Sequence, residues 1–225
     1  MTPGPGDDTP LFFDLDGTLV DSAAGIIVSL QHALTVSGIP APDIDWRRFI
    51  GPPLPKMISA ALPHLDPGQH DAVITAYRKH YASTGLFKTV AFPGVVVLLQ
   101  RLRNDGRTIY VVTNKPQGPA EAIVLHLGLD PFVYRIVGGD PAGHDTKPDR
   151  AAALAEEEGI GGGIFVGDGI DDLHAAERIG ARFLLASWGY GSASVLATRP
   201  DVTPIQRPID VIDHLGPLRP GGECS

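Results

Sequence analysis

Short apolar runs alternate with amphipathic segments along most of this sequence, and this pattern constrains the fold more than any other feature. The runs are four to six residues long, the length of buried strands, and the segments between them repeat apolar residues every three or four positions, as helices do. The predicted strands are 11–15, 108–113, 134–137, 163–166 and 182–185. The predicted helices between them include 95–104, 119–127, 150–158 and 172–179. This alternation predicts an α/β fold, a doubly wound parallel sheet with helices on both faces.

Residues 22–88 differ from the rest of the chain, because their apolar residues follow helical spacing and form no convincing strand. Their apolar residues form three stripes at helical spacing. The stripes are Ile26, Ile27, Leu30 and Leu34; Met57, Ile58, Ala61 and Leu62; and Val73, Ile74, Tyr77 and Tyr81. We therefore predict an inserted all-helical cap domain at 22–88, a core formed by 1–21 and 89–225, and frayed ends over 1–9 and from about 216.

Composition narrows the classes of function. The chain carries 18 basic and 26 acidic residues, a net charge of −8, whereas nucleic-acid binding relies on basic surfaces, so we expect no nucleic-acid partner. No stretch approaches the roughly 18 apolar residues of a membrane span, and no signal peptide is evident, so we expect no membrane partner. The only cysteine, Cys224, cannot form an intramolecular disulfide, and a cytoplasmic protein is the natural expectation.

Polar side chains follow three of the predicted strands. Asp14 and Asp16 end the first, Thr113 and Asn114 the second, and Asp168 the fourth. In open parallel sheets ligands bind beyond the carboxyl ends of the strands, so these residues are candidates for one site.

Asp14 and Asp16 are two residues apart, which places both carboxylates on one face if the strand continues through them. With Asp168 they would form an oxygen-only ligand set, which suits a hard divalent cation and favours Mg²⁺. Gly17 and Thr18 would turn the chain so that backbone N–H groups face an anion, and Lys147 could supply positive charge opposite the metal.

Each of these residues also has an ordinary structural role as an alternative interpretation. A strand-end aspartate often caps the next helix, Thr113-Asn114 could be a turn, and Lys147 could be a surface lysine at a helix start. A calcium loop at 14–21 fits poorly, because Gly17 stands at loop position four instead of six.

The segment 13–22, FDLDGTLVDS, resembles the first motif of the haloacid dehalogenase superfamily of phosphohydrolases. Thr113, Lys147 and the segment from Gly167-Asp168 to Asp172 match its second, third and fourth motifs in the required order, so the resemblance covers about residues 11–215. The 22–88 insert resembles the helical cap of the phosphoglycolate phosphatase-like branch, and segments 50–54 and 189–192 are similar to patterns in that branch.

The resemblance implies catalytic roles. Asp14 would be the nucleophile that forms an aspartyl phosphate, and Asp16 the general acid and base. Thr113 would hold the phosphoryl oxygens, and Lys147 would neutralise them and orient Asp14. For substrate binding the candidates are Gly17, Thr18, Asn114 and Lys56 of the insert, where a solvated lysine is the competing reading.

The resemblance also implies a Mg²⁺ site. Its ligands would be the Asp14 carboxylate, the Asp16 backbone carbonyl and Asp168, with Asp172 supporting the metal. Asp171 and Asp172 are adjacent; the spacing favours Asp172.

We therefore expect a Mg²⁺-dependent phosphatase of a small phosphorylated metabolite, with phosphoglycolate as the first candidate. A 5′-nucleotidase, a sugar-phosphate phosphatase and a phosphomutase are alternatives within the same superfamily. A dehalogenase is disfavoured, because that branch does not need a second aspartate. A phosphatase needs one to protonate its alkoxide leaving group, and Asp16 is present. A catalytically silent binding or regulatory protein of the same fold is the alternative from another class. The sequence leaves the oligomeric state open.

Overall fold

A computed structural model describes residues 9–216. Its main feature is a parallel sheet of six strands in the order β5-β4-β1-β6-β7-β8. These strands are β1 (Leu11–Phe13), β4 (Ile109–Pro116), β5 (Arg135–Gly139), β6 (Ile164–Gly167), β7 (Arg182–Ala186) and β8 (Thr203–Ile205). Two further strands, β2 (Val20–Asp21) and β3 (Val90–Ala91), form a separate antiparallel pair. The predicted doubly wound parallel sheet is confirmed.

Helices cover both faces of the sheet. They are α4 (Val95–Asn104), α5 (Gln117–His126), α6 (Lys147–Glu158), α7 (Ile170–Arg178), α8 (Ser192–Thr198) and a 3₁₀ helix, Pro208–His214. Leu11 and Phe13 of β1 pack into the apolar cluster that includes α4 and α5, whereas Phe12 packs into the cluster that includes α6 and α7. This division follows from the two-residue repeat of a strand, because a central strand buries both of its faces.

Residues 22–88 contain helices joined by loops and no strand, as their apolar spacing predicts. The helices are α1 (Ala23–Val36), α2 (Leu54–Ala61), α3 (Pro67–His80) and three short non-α helices, Trp46–Phe49, Tyr81–Gly85 and Leu86–Lys88. The insert leaves the sheet through β2 and returns through β3, where Val20 pairs with Ala91 and Asp21 with Val90. Its apolar core is continuous with the cluster that includes Leu11 and Phe13. The division into separate domains stays a prediction.

The strands β2, β3 and β8 and the helix α8 were not predicted from the sequence. The strands β2 and β3 contain two residues each, too few for a pattern, and β8 is an edge strand of three residues with Pro204 at its centre. Within residues 9–216 no helix combines the length and the apolarity that a bilayer crossing requires. The expectations for residues 1–8, for 217–225 and for Cys224 lie outside the described residues.

Candidate active site

The carboxyl ends of three neighbouring strands bring the predicted polar residues together. Strand β1 lies between β4 and β6, so Asp14, Thr113 and Asp168 meet at one edge of the sheet. The N–H of Asp14 donates to the carbonyl of Val166 at 2.9 Å, which continues the β1–β6 pairing up to the site. All three side chains are buried.

Lys147 lies between two buried carboxylates. Its Nζ is 2.7 Å from Oδ1 of Asp14 and 2.6 Å from Oδ1 of Asp172. Lys147 is the first residue of α6, and the Oγ1 of the preceding Thr146 caps the helix by accepting from the N–H of Asp149 at 3.3 Å. Burial opposes the ammonium charge, but Asp14 and Asp172 outweigh it and raise the pKa of Lys147. Lys147 is therefore a fixed positive charge beside Asp14 and not a surface lysine.

Asp14, Asp168 and Asp172 form a compact cluster, with one oxygen from each lying within 4.8 Å of the others. Burial, followed by the charges of neighbouring carboxylates and against the pull of Lys147, raises the pKa of Asp14 to about 7. Burial and the charge of Asp14 raise the pKa of Asp168 to about 7 as well. Like charges this close are stable only if they take up protons or a cation. Three carboxylates and one ammonium leave two negative charges unbalanced, so this oxygen donor set fits a hard divalent cation.

Glycine residues let the chain approach Asp168 closely. Gly17 has φ of +89°, and a Cβ there would come within 2.5 Å of Oδ2 of Asp168. The N–H of Gly191 donates to the same oxygen at 2.9 Å. Asp168 is thus held by a backbone hydrogen bond from Gly191 and packed closely against Gly17, as a rigid ligand position requires.

The two adjacent aspartates of α7 have separate partners. Besides Lys147, Asp172 accepts from the N–H of Gly169 at 2.9 Å through Oδ2, and it is almost fully buried. Asp171 instead accepts from Nδ2 of Asn114 at 2.8 Å. Asp172 is therefore the member of the pair that belongs to the carboxylate cluster, as the spacing favours.

Thr113, Asn114 and Lys115 lie where β4 departs from regular pairing. Between Val112 and Pro116 the register with β5 shifts. The hydroxyl of Thr113 accepts from the N–H of Lys115 at 3.2 Å, so its O–H remains available to donate. Asn114 also donates to the carbonyl of Gly51 in the insert at 3.0 Å.

Arg150, which was not predicted as a site residue, holds this segment in place through hydrogen bonds. Its guanidinium donates to the carbonyl of Thr113 at 3.1 Å and to Oδ1 of Asn114 at 2.7 Å, and it pairs with Asp145 at 2.6 Å. The available signal was its position three residues after Lys147, which places the two side chains on one face of α6.

Lys115 is a second missed cation. Its Nζ is 3.0 Å from both Oδ1 and Oδ2 of Asp16, and it lies 4.8 Å from the centre of the Tyr81 ring. Burial opposes the charge of Lys115, but Asp16 outweighs it and raises the pKa of the ammonium. A lysine directly after Thr113-Asn114 was the signal in the sequence.

A cavity of about 370 Å³ lies between the sheet edge and the insert. Asp14, Asp16 and Thr113 line it from the sheet side. The insert contributes mainly apolar walls, among them Ile26, Ile50, Leu54, Met57, Tyr77 and Tyr81. A cavity with a polar floor and apolar walls is typical of small-molecule sites.

Three predicted substrate-binding residues, Gly17, Thr18 and Lys56, do not line the cavity. The N–H of Gly17 donates to the carbonyl of Val20 at 2.9 Å and that of Thr18 to the carbonyl of Leu15 at 3.3 Å, so the turn itself uses both groups. Lys56 is exposed and does not line the cavity. Of the four, Asn114 lines the cavity.

The sequence of residues 11–186 matches the family described as haloacid dehalogenase-like hydrolase. The chain belongs to this family. It is similar to a 5′-nucleotidase of Pseudomonas aeruginosa, with 34% identity over 190 residues, 83% of this chain and 86% of the relative. It is also similar to a phosphoglycolate phosphatase of Xanthomonas campestris, with 32% identity over 205 residues, 88% of this chain and 92% of the relative. The solved structure of protein tyrosine kinase A from Mycobacterium tuberculosis is 32% identical, covers 94% of this chain and 100% of its own, and superposes with a TM-score of 0.79.

These findings confirm the resemblance to the haloacid dehalogenase superfamily and its phosphoglycolate phosphatase-like branch. With its phosphatase relatives, the family identifies this haloacid dehalogenase-like hydrolase as an enzyme that hydrolyses phosphoric monoesters. The relatives bear the names of different activities, so the family fixes neither the substrate nor the metal.

Proposed function

We propose that this hydrolase is a Mg²⁺-dependent phosphatase that cleaves a small phosphomonoester through an aspartyl phosphate on Asp14. The observation that carries the proposal is the buried Asp14 carboxylate at the cavity floor, with Lys147 bonded to one of its oxygens at 2.7 Å. A carboxylate held in this way can meet phosphorus in a fixed orientation, and a fixed ammonium can stabilise negative charge that develops on the phosphoryl group.

In the first half-reaction Asp14 attacks phosphorus while Asp16 gives a proton to the departing oxygen. In the second, Asp16 takes a proton from the water that attacks the aspartyl phosphate, so one carboxyl group serves as acid and then as base. Asp16 lines the same cavity as Asp14. The free O–H of Thr113 and the ammonium of Lys147 would hold the transferring oxygens.

The carboxylates of Asp14 and Asp168 and the backbone carbonyl of Asp16 would hold Mg²⁺, and Asp172 would support it through its bond to Lys147. A bound Mg²⁺ would neutralise phosphate charge.

The volume and the apolar walls of the cavity indicate which substrates would fill it. Phosphoglycolate, the first candidate from sequence, has a two-carbon leaving group that would fill a small part of about 370 Å³. The apolar walls formed by Leu54, Met57 and Tyr81 therefore favour a second candidate, a 5′-nucleotide, whose base has an apolar face. Within this proposal residues 22–88 are a cap domain that sets substrate choice.

Within the same proposal the reaction takes place in the cytoplasm. The chain has a single cysteine, Cys224, and so needs no intramolecular disulfide, as is usual for cytoplasmic proteins.

Release of phosphate from p-nitrophenyl phosphate tests the proposal, measured with Mg²⁺ and with a chelator. We expect activity with Mg²⁺, little with the chelator, and a loss of at least ~10³-fold in Asp14→Asn, which removes the nucleophile. Asp14→Asn activity within tenfold of the wild-type value would refute the covalent mechanism. No turnover of any phosphomonoester by the wild-type protein would favour the silent binding protein.

A panel of phosphorylated metabolites, compared by kcat/KM, separates the substrates. A higher kcat/KM for 5′-nucleotides than for phosphoglycolate would support the size argument. Conversion of a sugar phosphate to its isomer without release of phosphate would identify a mutase.

A further inference from the structure

Lys115 is a cation with a largely buried side chain, and it lines the cavity but has no part in the mechanism above. Its side chain is 7% exposed and that of its partner Asp16 is 12% exposed. The ammonium contacts both carboxylate oxygens of Asp16 at 3.0 Å, with the Tyr81 ring 4.8 Å away. Charges this poorly exposed are weakly screened by water and salt, so their geometry is firmly held.

We propose that Lys115 is the positioning residue for Asp16, fixing the carboxyl group where it can exchange a proton with the leaving oxygen and then with water. The proposal rests on the function proposed above. A carboxylate turns easily about its Cβ–Cγ bond, and two contacts from one ammonium to both oxygens restrict that rotation. Tyr81 of the insert restrains the lysine in turn through a cation–π contact.

The contact also matters for the charge that Asp16 carries during the reaction. In the first half-reaction the Asp14–phosphorus bond forms and the bond from phosphorus to the leaving oxygen breaks. The Asp16 O–H bond breaks as its proton passes to that oxygen, and a carboxylate remains beside Lys115. In the second half-reaction water oxygen bonds to phosphorus, the Asp14–phosphorus bond breaks, and the water proton returns to Asp16. Lys115 keeps its own protons throughout and stabilises the carboxylate between the two transfers.

The test uses two substrates of similar size that differ in their need for an acid. p-Nitrobenzyl phosphate releases an alkoxide, which needs a proton, whereas p-nitrophenyl phosphate releases a phenolate, which needs one much less. For Lys115→Met we expect kcat/KM to fall roughly tenfold to a hundredfold with the benzyl ester and less than about threefold with the phenyl ester. Lys115→Arg, which keeps a cation able to contact both oxygens, should recover most of the loss. The matched control is Lys79→Met, an exposed lysine of the insert that does not line the cavity, and it should change neither value.

A double-mutant cycle separates positioning from direct substrate binding. In an Asp16→Asn background Lys115→Met should cost little more, because no carboxylate is left to position. Equal losses for both esters, or the same loss in both backgrounds, would overturn the proposal in favour of a substrate contact or a structural role. If Lys115→Met does not fold, Lys115→Gln answers the same question through the ratio of the two esters, since an unchanged ratio would also refute it. Wild-type turnover of p-nitrophenyl phosphate is scored first, so a failure of the proposed function is seen separately.

Discussion

Removing Lys147 should destabilise the protein through the carboxylates that it balances. The side chain is 3% exposed and contacts Asp14 and Asp172 at 2.7 and 2.6 Å, with Asp168 in the same cluster. Lys147→Met leaves these acids without their counter-charge. Breaking a buried ion pair from one side costs about 3–5 kcal/mol. Because Asp14 and Asp168 can take up protons near neutral pH, we expect the lower end, about 3 kcal/mol.

Thermal unfolding of the purified variant with a chelator measures this effect. For a chain of 225 residues, about 3 kcal/mol corresponds to a fall in Tm of roughly 6–12 °C. Burial raises the pKa of Asp14 to about 7, so the folded state binds more protons than the unfolded state as pH falls. The deficit should therefore be smaller at pH 5.5 than at pH 8, and Mg²⁺ should restore part of it. Arg199→Met, which breaks surface pairs with Glu177 and Asp201, is the control and should shift Tm far less. A fall in Tm below about 2 °C at pH 8 would refute the reasoning.

Three further variants test the rest of the site. Asp168→Ala should fold and should need a higher Mg²⁺ concentration for half-maximal activity; an unchanged Mg²⁺ titration would mean that Asp168 is only a turn residue. Gly17→Ala should destabilise the protein by roughly 1–2 kcal/mol, measured as a fall in Tm, and should weaken Mg²⁺ binding. Its Cβ would strain a backbone φ of +89° and press on Asp168. Arg150→Met should lower kcat more than it raises KM, as expected if Arg150 holds Thr113 in place; a change in KM alone would point to substrate binding instead.

The sheet part of the site could be predicted from sequence because it depends on local patterns. β1, β4 and β6 are apolar runs that end in polar residues, and parallel pairing brings their ends to one edge, so Asp14, Thr113 and Asp168 needed no tertiary information to be grouped. Placing Lys147 beside Asp14 needed more, since a lysine at the start of a helix is ordinary by itself. The resemblance to known motifs supplied that step.

One loop ties the carboxylate cluster to the start of the insert, which no local pattern could show. The N–H of Gly191 holds Asp168, while the hydroxyl of Tyr190 donates to Asp21 at 2.7 Å and accepts from the N–H of Ser22 at 2.9 Å. Tyr190 is 169 positions from Asp21 and 168 from Ser22 in the sequence, whereas Gly191 is 23 positions from Asp168. Their contacts depend on how β7 and β1 sit in the sheet, and only the tertiary structure reveals it.

Two lysines show where sequence reasoning reached its limit at the site. Lys56 of the insert was a candidate substrate contact, with a solvated lysine as the competing interpretation. Leu54 and Met57, three residues apart on α2, both line the cavity, and the helical repeat turns Lys56 to the exposed side between them. Lys115 was overlooked because β4 reads as a strand ending at Thr113. In the structure β4 continues through a register shift to Pro116, and the side chain of Lys115 contacts Asp16. In both cases the sequence shows the lysine but does not show which way its helix or strand turns the side chain. That direction decides which charge faces the substrate.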